Sequence, residues 1–361
     1  MKAAILREIN APLQFENVTI DNPGPHEVLV RVAAVGLCHS DLHGLDGTIP
    51  MPLPTLLGHE AAGVVEKVGT EVRGVKPGDH VIACLSFYCG HCEQCLGGHS
   101  HRCYTPEAER RADEPPRLRI GSEPVSQFCR MGAFAEQMLV HESGCIPIRH
   151  DMPFDRACLI SCGVTTGFGA ATRSARVQPG ETVAVIGCGG VGLAAINGAA
   201  VAGAARIIAV DVMEEKCQLT QTLGATDFIA AGAAEARERV MELTRGAGVD
   251  HAIEAIGRQD TMELAFRILK KGGLATIVGV AAPTTQISLP ALSFLQERRI
   301  QGSTMGGVRN QIDIPRYVEL YLQGRLKLDQ LISRRRPFAE INEGFADFKK
   351  GTLARTVLTM E

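Results

Sequence analysis

The sequence predicts a two-domain α/β chain, an all-β, barrel-like part followed by a doubly wound parallel sheet. Three observations lead there. At 361 residues the chain is long enough for two hydrophobic cores. Its first third reads as short β-branched runs broken by Pro/Gly turns. From Thr182 onward, apolar strands alternate with Ala-rich helical stretches, the pattern of a parallel sheet with helices on its faces.

Taken in order, the run Glu27-Val28-Leu29-Val30-Arg31-Val32 follows the turn signal Asn22-Pro23-Gly24-Pro25 and nearly alternates. Gly63-Val64-Val65-Glu66-Lys67-Val68-Gly69 and His80-Val81-Ile82-Ala83-Cys84 read as further strands, parted by Lys76-Pro77-Gly78-Asp79. Residues 105–123 are polar, rich in Pro and Arg and without periodicity, which reads as a surface loop. The character changes near Cys162. Thr182-Val183-Ala184-Val185-Ile186 and Arg206-Ile207-Ile208-Ala209-Val210 are buried-strand runs, with a helical stretch over residues 191–203 between them. Ala252-Ile253-Glu254-Ala255 and Leu274-Ala275-Thr276-Ile277-Val278 continue the alternation. After Thr304 come amphipathic helices, such as residues 314–323, and a last strand at Thr356-Val357-Leu358-Thr359.

Composition excludes several classes of function. Hydrophobic residues make up 45% and charged residues 21%, ordinary for a globular chain. The net charge of −3 argues against a nucleic-acid or anionic-membrane partner. No apolar run is long enough to span a bilayer, and Met1-Lys2-Ala3-Ala4-Ile5-Leu6-Arg7 is charged too early for a secretory signal, so a cytoplasmic protein is expected. In that reducing compartment twelve cysteines read as metal ligands and small buried residues.

Cys89, Cys92, Cys95 and Cys103 stand at C-x2-C-x2-C-x7-C spacing, interleaved with Gly90, Gly97 and Gly98. Four thiolates about 2.3 Å from one Zn²⁺ fill a tetrahedron and leave no open position, so this would be a structural site. Disulfides or inert thiols are the competing readings. A chain this long needs no staples, which disfavours the first.

Gly187-Cys188-Gly189-Gly190-Val191-Gly192 follows a strand, opens a helix and leads to a second strand ending in Asp211. A lone G-x-G-x-x-G is weak, but strand, glycines, helix and strand in one βαβ unit form the context of a dinucleotide site. Gly187 allows the tight turn, Gly189 a close approach of pyrophosphate, and Gly192 close helix–sheet packing. The helix start offers N–H groups to phosphate. Asp211 would accept the ribose hydroxyls and repel a 2′-phosphate, which favours NAD over NADP, with Lys216 within reach of the same ribose.

A second possible metal set is more scattered. Cys38 lies in Cys38-His39-Ser40-Asp41-Leu42-His43, His59 in Gly58-His59-Glu60, and Cys162 at the junction of the two parts. Two thiolates and an imidazole would leave a fourth position open, as a catalytic zinc requires. From spacing alone, three packed residues remain the competing reading.

These motifs, with Val278-Gly279-Val280, Ile341-Asn342-Glu343-Gly344-Phe345 and Leu353-Ala354-Arg355-Thr356, resemble the zinc-dependent alcohol dehydrogenases of the medium-chain dehydrogenase/reductase family over essentially the whole chain. The resemblance implies a GroES-like β-barrel catalytic domain over residues 1–163 and 305–361 and a Rossmann NAD-binding domain over 164–304. It implies two zinc ions per chain, a catalytic one on Cys38, His59 and Cys162 and the structural one. Glu60 corresponds to a carboxylate behind the catalytic metal, and Asp41 to the acceptor of the His59 ring N–H. Ser40 corresponds to the hydroxyl that takes the alcohol proton and His43 to the exit base. His39 and Arg355 match positions that neutralise pyrophosphate, Thr166 one behind the nicotinamide, and Ala255, Arg258, Val278 and Val280 further cofactor contacts. The implied reaction is oxidation of an alcohol through a zinc-stabilised alkoxide, with a Ser40/His43 proton relay and hydride transfer to nicotinamide.

Ile49, Leu85 and Phe128 match positions that line the substrate pocket. All are apolar, so a primary alcohol with an aromatic, allylic or medium-chain body is expected. A formaldehyde dehydrogenase acting on an S-hydroxymethyl thiol adduct is the alternative. Gly47-Thr48-Ile49 and Glu107 stand where glutathione-binding relatives carry acidic residues and an Arg, which argues against glutathione itself. An inactive NAD- and zinc-binding scaffold is the alternative of another class, and the intact Cys38, Ser40, His59 and Cys162 set speaks against it. The long segment from Cys103 to Cys162 resembles the dimeric members, so a homodimer paired at the edge of the nucleotide-binding sheet is expected. Two departures stand out. His39 replaces an Arg of some relatives, and Ser161 a glycine common before the third ligand. Cys84, Cys129, Cys145, Cys158, Cys188 and Cys217 are expected as small buried residues, His91, His99 and His101 as exposed, and Arg334-Arg335-Arg336 as a solvated run.

Overall fold

The computed structural model describes residues 1–104, 107–111 and 113–360. The chain forms two compact units, residues 1–162, 309–323 and 332–361 in the first and residues 163–308 and 324–331 in the second. Residues 324–331 fall in the second unit, although the residues before and after them fall in the first. The reason is Asn197, 3% exposed in the helix Gly190–Ala202, whose amide donates to Arg325 O at 3.3 Å and accepts from Lys327 N at 3.0 Å.

The first unit is built on the strand Glu27–Gly36, nearly all of which is buried. It pairs antiparallel with Glu60–Val68, Gln137–His141 and Arg355–Thr359. His80–Ala83 and Cys145–Ile148 extend this seven-stranded sheet on one side and Ile332–Pro337 on the other. A four-stranded sheet around Lys2–Leu6 shares the same core, in which Ile5, Val30, Leu37, Phe134, Ile341 and Phe345 are buried. Hydrophobic burial, at about 25 cal/mol per Å² of apolar surface, is what fixes the strand registers here.

Residues 105–123 are not simply a surface loop; Thr105, Pro106 and Ala112 lie outside the described residues. Arg117 is 9% exposed and its Nε donates to Glu27 Oε1 at 2.6 Å, while Nη2 donates to Ala108 O at 2.7 Å. Arg110 donates to Glu27 Oε2 at 2.6 Å and to Asp21 Oδ2 at 2.5 Å. The segment then forms short strands at Leu118–Ile120 and Glu123–Pro124. Two arginines thus clamp it to the start of the central strand.

The second unit holds one six-stranded parallel sheet. Its order is Asp227–Ala230, Arg206–Asp211, Thr182–Ile186, Val249–Glu254, Leu269–Ile277, Arg299–Gly302. Counted within this unit that is 3-2-1-4-5-6, the doubly wound order, and the direction of winding reverses between Thr182–Ile186 and Val249–Glu254. The loops leaving the carboxyl ends of those two strands therefore flank the crevice where ligands of such sheets bind.

Candidate active site

Cys38 is the N-cap of the helix His39–Leu45, placed there because the strand Glu27–Gly36 ends immediately before it. Asp41, fully buried in the first turn, accepts from Cys38 N at 3.2 Å, from Gly58 N at 3.0 Å and from His59 Nδ1 at 3.1 Å. One carboxylate so ties the first ligand candidate to the second. Because Nδ1 faces Asp41, the lone pair of His59 lies on Nε2, which is buried and has no hydrogen-bond partner among the described residues. The donor atoms of Cys38, His59, Glu60 and Cys162 lie within 4.8 Å of one another, and all four residues are buried. Two thiols, an imidazole with an orphaned nitrogen and a carboxylate form a donor set that suits Zn²⁺.

The acidic groups around His59 favour positive charge at this place, carried by the ring itself when no metal takes its Nε2. Burial alone would pull the His59 ring down, but Asp41, Cys38 and Cys162 push it well above the ordinary histidine range. Glu60 is pushed up to about 8, chiefly by burial, against the opposing pull of Arg355. Arg355, 2% exposed, stands with Nη2 3.6 Å from Glu60 Oε1. Nothing in the sequence announces this pairing, because the two residues are far apart in the chain. Ser161, the departure before Cys162, is buried and donates its hydroxyl to His59 O at 2.9 Å, and it also contacts Ala83 O. The serine is therefore part of the scaffold behind His59.

Ser40 and His43 are half-buried on the helix that begins after Cys38, three residues apart and so on one face. Asp46 Oδ2 lies 4.0 Å from His43 Nδ1, and Ile49 N donates to His43 O at 2.9 Å. Of the expected pocket residues, Phe128 packs edge-on against His59 with ring centroids 5.6 Å apart. Ile49 and Leu85 are half-buried against the core of the first unit. Cys129, expected as a buried filler, is only partly covered and has φ 52°, followed by Arg130 at φ 60°. Cys217 is likewise only partly buried, whereas Cys84, Cys145, Cys158 and Cys188 are buried. His39 is exposed and stacks on Phe348 at 4.6 Å.

The thiols of Cys89, Cys92, Cys95 and Cys103 also lie within 4.8 Å of one another. The Cys92–Cys95, Cys89–Cys103, Cys92–Cys103 and Cys89–Cys95 separations are 3.5, 3.6, 3.9 and 4.0 Å. A tetrahedron with Zn–S bonds of about 2.3 Å has edges of about 3.8 Å, so the lobe has the size the ion needs. None of the twelve cysteines is bonded to another, and the four sulfurs of the lobe stand well beyond S–S bonding distance. His91 and His99 are exposed and His101 half-buried. The basic run is paired, Arg334 and Arg336 with Asp347 and Arg335 with Asp155.

In the second unit, Gly187 has φ 94°, and a Cβ there would strike Ile256. A Cβ on Gly192 would fall inside contact distance of Gly187 O, whereas Gly189 faces open space. Gly190 and Val191 form the first turn of the helix Gly190–Ala202, which has no side-chain cap on its N–H groups. An open cradle of backbone donors is what a pyrophosphate requires. Asp211 accepts from Cys188 N at 2.7 Å, Met213 N at 3.0 Å and Lys216 Nζ at 3.0 Å, so Lys216 faces the same carboxylate. Ala255, Arg258, Val278 and Val280 occupy the loops that leave Val249–Glu254 and Leu269–Ile277. Arg258 pairs with Asp260 at 3.0 Å, and Thr166 donates to Met305 Sδ at 3.5 Å.

Residues 24–150 match the family described as "Alcohol dehydrogenase GroES-like domain" and residues 190–323 that described as "Zinc-binding dehydrogenase". An S-(hydroxymethyl)glutathione dehydrogenase of Saccharomyces cerevisiae is 39% identical, over 99% of this chain and 95% of its own length. The crystal structure of an alcohol dehydrogenase zinc-binding domain protein from Burkholderia ambifaria superposes with a TM-score of 0.94 at 36% identity, covering 100% of this chain and 98% of the other. Benzyl alcohol dehydrogenase from Acinetobacter calcoaceticus gives a TM-score of 0.93 at 31% identity, covering 100% and 99%.

Proposed function

The chain belongs to the zinc-dependent alcohol dehydrogenases of the medium-chain dehydrogenase/reductase family, and on that premise we propose that it oxidises a primary alcohol with an aromatic, allylic or medium-chain body to its aldehyde, and runs the reverse reaction, with NAD. The observation that supports this most is the buried Cys38, His59, Glu60 and Cys162 group, with Phe128 against His59 and Ser40 on the adjoining helix. Cys38, His59 and Cys162 would hold the catalytic zinc, and the thiols of Cys89, Cys92, Cys95 and Cys103 the structural one. Zinc bound there supplies Lewis acidity that eases loss of an alcohol proton, and the nicotinamide supplies the hydride acceptor.

The chain's own residues do the rest. Asp41 fixes the His59 tautomer and would so leave Nε2 free to hold the zinc. Ser40 Oγ accepts the alcohol proton and His43 passes it to solvent, a relay that needs no water beside the reacting carbon. Phe128, Ile49 and Leu85 give the substrate an apolar surface. Gly187, Gly189, Gly190, Val191 and Gly192 receive the pyrophosphate. Asp211 and Lys216 receive the adenosine ribose, and Thr166, Ala255, Arg258, Val278 and Val280 face the remainder of the cofactor.

A thiol-adduct substrate is the second reading, supported by the 39% identity to the yeast enzyme. Glu107, in the region where glutathione-binding relatives carry an Arg, is an acidic residue 3.4 Å from His91, which favours the simple alcohol. A homodimer is proposed from the outer strand Arg299–Gly302 and the exposed Leu292, Phe294 and Leu295 that precede it. Free thiols throughout support a cytoplasmic setting, and no helix among the described residues is long and apolar enough to cross a membrane.

The test is reduced-nicotinamide absorbance with NAD or NADP and benzyl alcohol, hexanol or formaldehyde plus glutathione, before and after Cys38→Ala. NADH formed from benzyl alcohol or hexanol and lost in the variant is the expected result. Turnover only with the formaldehyde–glutathione mixture would replace the proposal by the second reading.

A further inference from the structure

Glu254 ends the fourth strand of the nucleotide-binding sheet and is fully buried, an unusual place for a carboxyl group. Its Oε1 accepts three hydrogen bonds, from Ile256 N at 2.9 Å, Gly257 N at 2.8 Å and Thr261 Oγ1 at 2.8 Å. Its backbone oxygen accepts two more, from Val278 N at 2.8 Å and Gly279 N at 3.1 Å. One residue therefore holds both loops that leave the sheet on one side of the winding reversal. The contacts then reach the phosphate cradle, because Ile256 occupies the space a side chain on Gly187 would need. Gly257 at φ 92° and Gly279 approach so closely that a Cβ on either would strike the other loop's backbone. Burial pushes the Glu254 carboxyl up from its ordinary range, and Oε2 makes no hydrogen bond among the described residues, so the hydrogen bonds of the side chain rest on Oε1 alone, an oxygen that an amide could also supply.

We propose that the Glu254 side chain is a positioning group for the dinucleotide, which sets the backbone of residues 255–258, and through the packing of Gly257 against Val280 the loop 278–280, in the binding conformation before the cofactor arrives. Its task is to accept hydrogen bonds at Oε1, and it touches neither substrate nor metal. Without that acceptor the N–H groups of Ile256 and Gly257 and the Thr261 hydroxyl lose a hydrogen bond, and the loop must be ordered by the cofactor, at the cost of affinity. This rests on the nucleotide reading given above.

The experiment is calorimetric titration of the zinc-loaded, full-length protein with NADH, for wild type and for Glu254→Gln, Glu254→Ala and Glu254→Asp. Gln keeps an acceptor where Oε1 stands and should bind within a few-fold of wild type. Ala removes the acceptor and Asp withdraws it by one methylene, and each should raise Kd about tenfold, the loss of roughly one hydrogen bond to a buried acceptor. The KM for NAD should rise in parallel, while kcat at saturating NAD and the zinc content stay near wild type. Ala and Asp binding as tightly as wild type would overturn the proposal, and so would Gln binding as weakly as Ala. If Ala does not fold, the comparison of Asp with Gln decides the matter in the same way. Absence of NADH binding by the wild type would instead sink the nucleotide reading, and this one with it.

Discussion

Asp41 carries more of the proposed metal site than its position beside the candidate ligands suggests. Its two oxygens serve the backbone of Cys38, the backbone of Gly58 and the ring of His59, so losing it frees two loops and a ligand together. Asp41→Ala is expected to weaken the catalytic zinc by about 10–100-fold while the four-cysteine lobe keeps its own ion. Metal analysis after mild chelation checks this, with content falling from two equivalents towards one. Loss of both ions would mean that the variant had unfolded instead. The residues of this centre were legible in the sequence only through the resemblance, because Cys38, His59 and Cys162 are spread over three segments with no shared spacing. The Glu60–Arg355 pair and the supporting role of Ser161 were not legible at all. Each joins segments far apart in the chain, and neither leaves a local pattern.

Among the elements, the strand–turn–helix around Gly192 tolerates least. A Cβ there meets the carbonyl of Gly187 inside the turn, where neither atom has room to retreat. Gly192→Ala is expected to abolish NADH binding, read by quenching or calorimetry, and to lower the melting temperature by several degrees, as an overpacked core site costs about 1–3 kcal/mol. The same change at Gly189, which faces open space, should leave the melting temperature nearly unmoved. This part of the fold was readable from the sequence because strands covered on both faces appear as unbroken apolar runs. Thr182–Ile186 was expected with the very bounds the structure shows. The segment over residues 105–123 misled for the opposite reason. Its Pro- and Arg-rich composition is that of a solvated loop, and the carboxylate that buries Arg117 lies ninety residues earlier.

At the scale of the whole molecule, Glu27 makes stability depend on pH. Burial would raise its carboxyl, but Arg110 and Arg117 overcome that and hold it down at about 2, against 4.5 for the free group. A depressed folded value stabilises above the unfolded value and is lost as pH falls, here between about 4.5 and 2, and the shift corresponds to roughly 3 kcal/mol. Glu27→Gln leaves Arg117 buried without its counter-charge, so the variant should be less stable at neutral pH by several kcal/mol. Denaturant titrations across pH 7 to 3 should show that gap narrowing below about pH 4.5, as the carboxylate of the unfolded wild-type chain takes up its proton; a constant gap would contradict it. The order of segments along the chain has a consequence for synthesis. The second unit draws only on residues 163–308 and 324–331, and can close while the ribosome is still adding the residues that follow. The first unit starts earlier and finishes later, because Glu27–Gly36 waits for Arg355–Thr359 to emerge, and Glu60 waits for Arg355. The segment made first is thus completed by one made after the whole of the second unit, and the Cys38 centre takes its final form after the nucleotide sheet that precedes Arg355 in the chain.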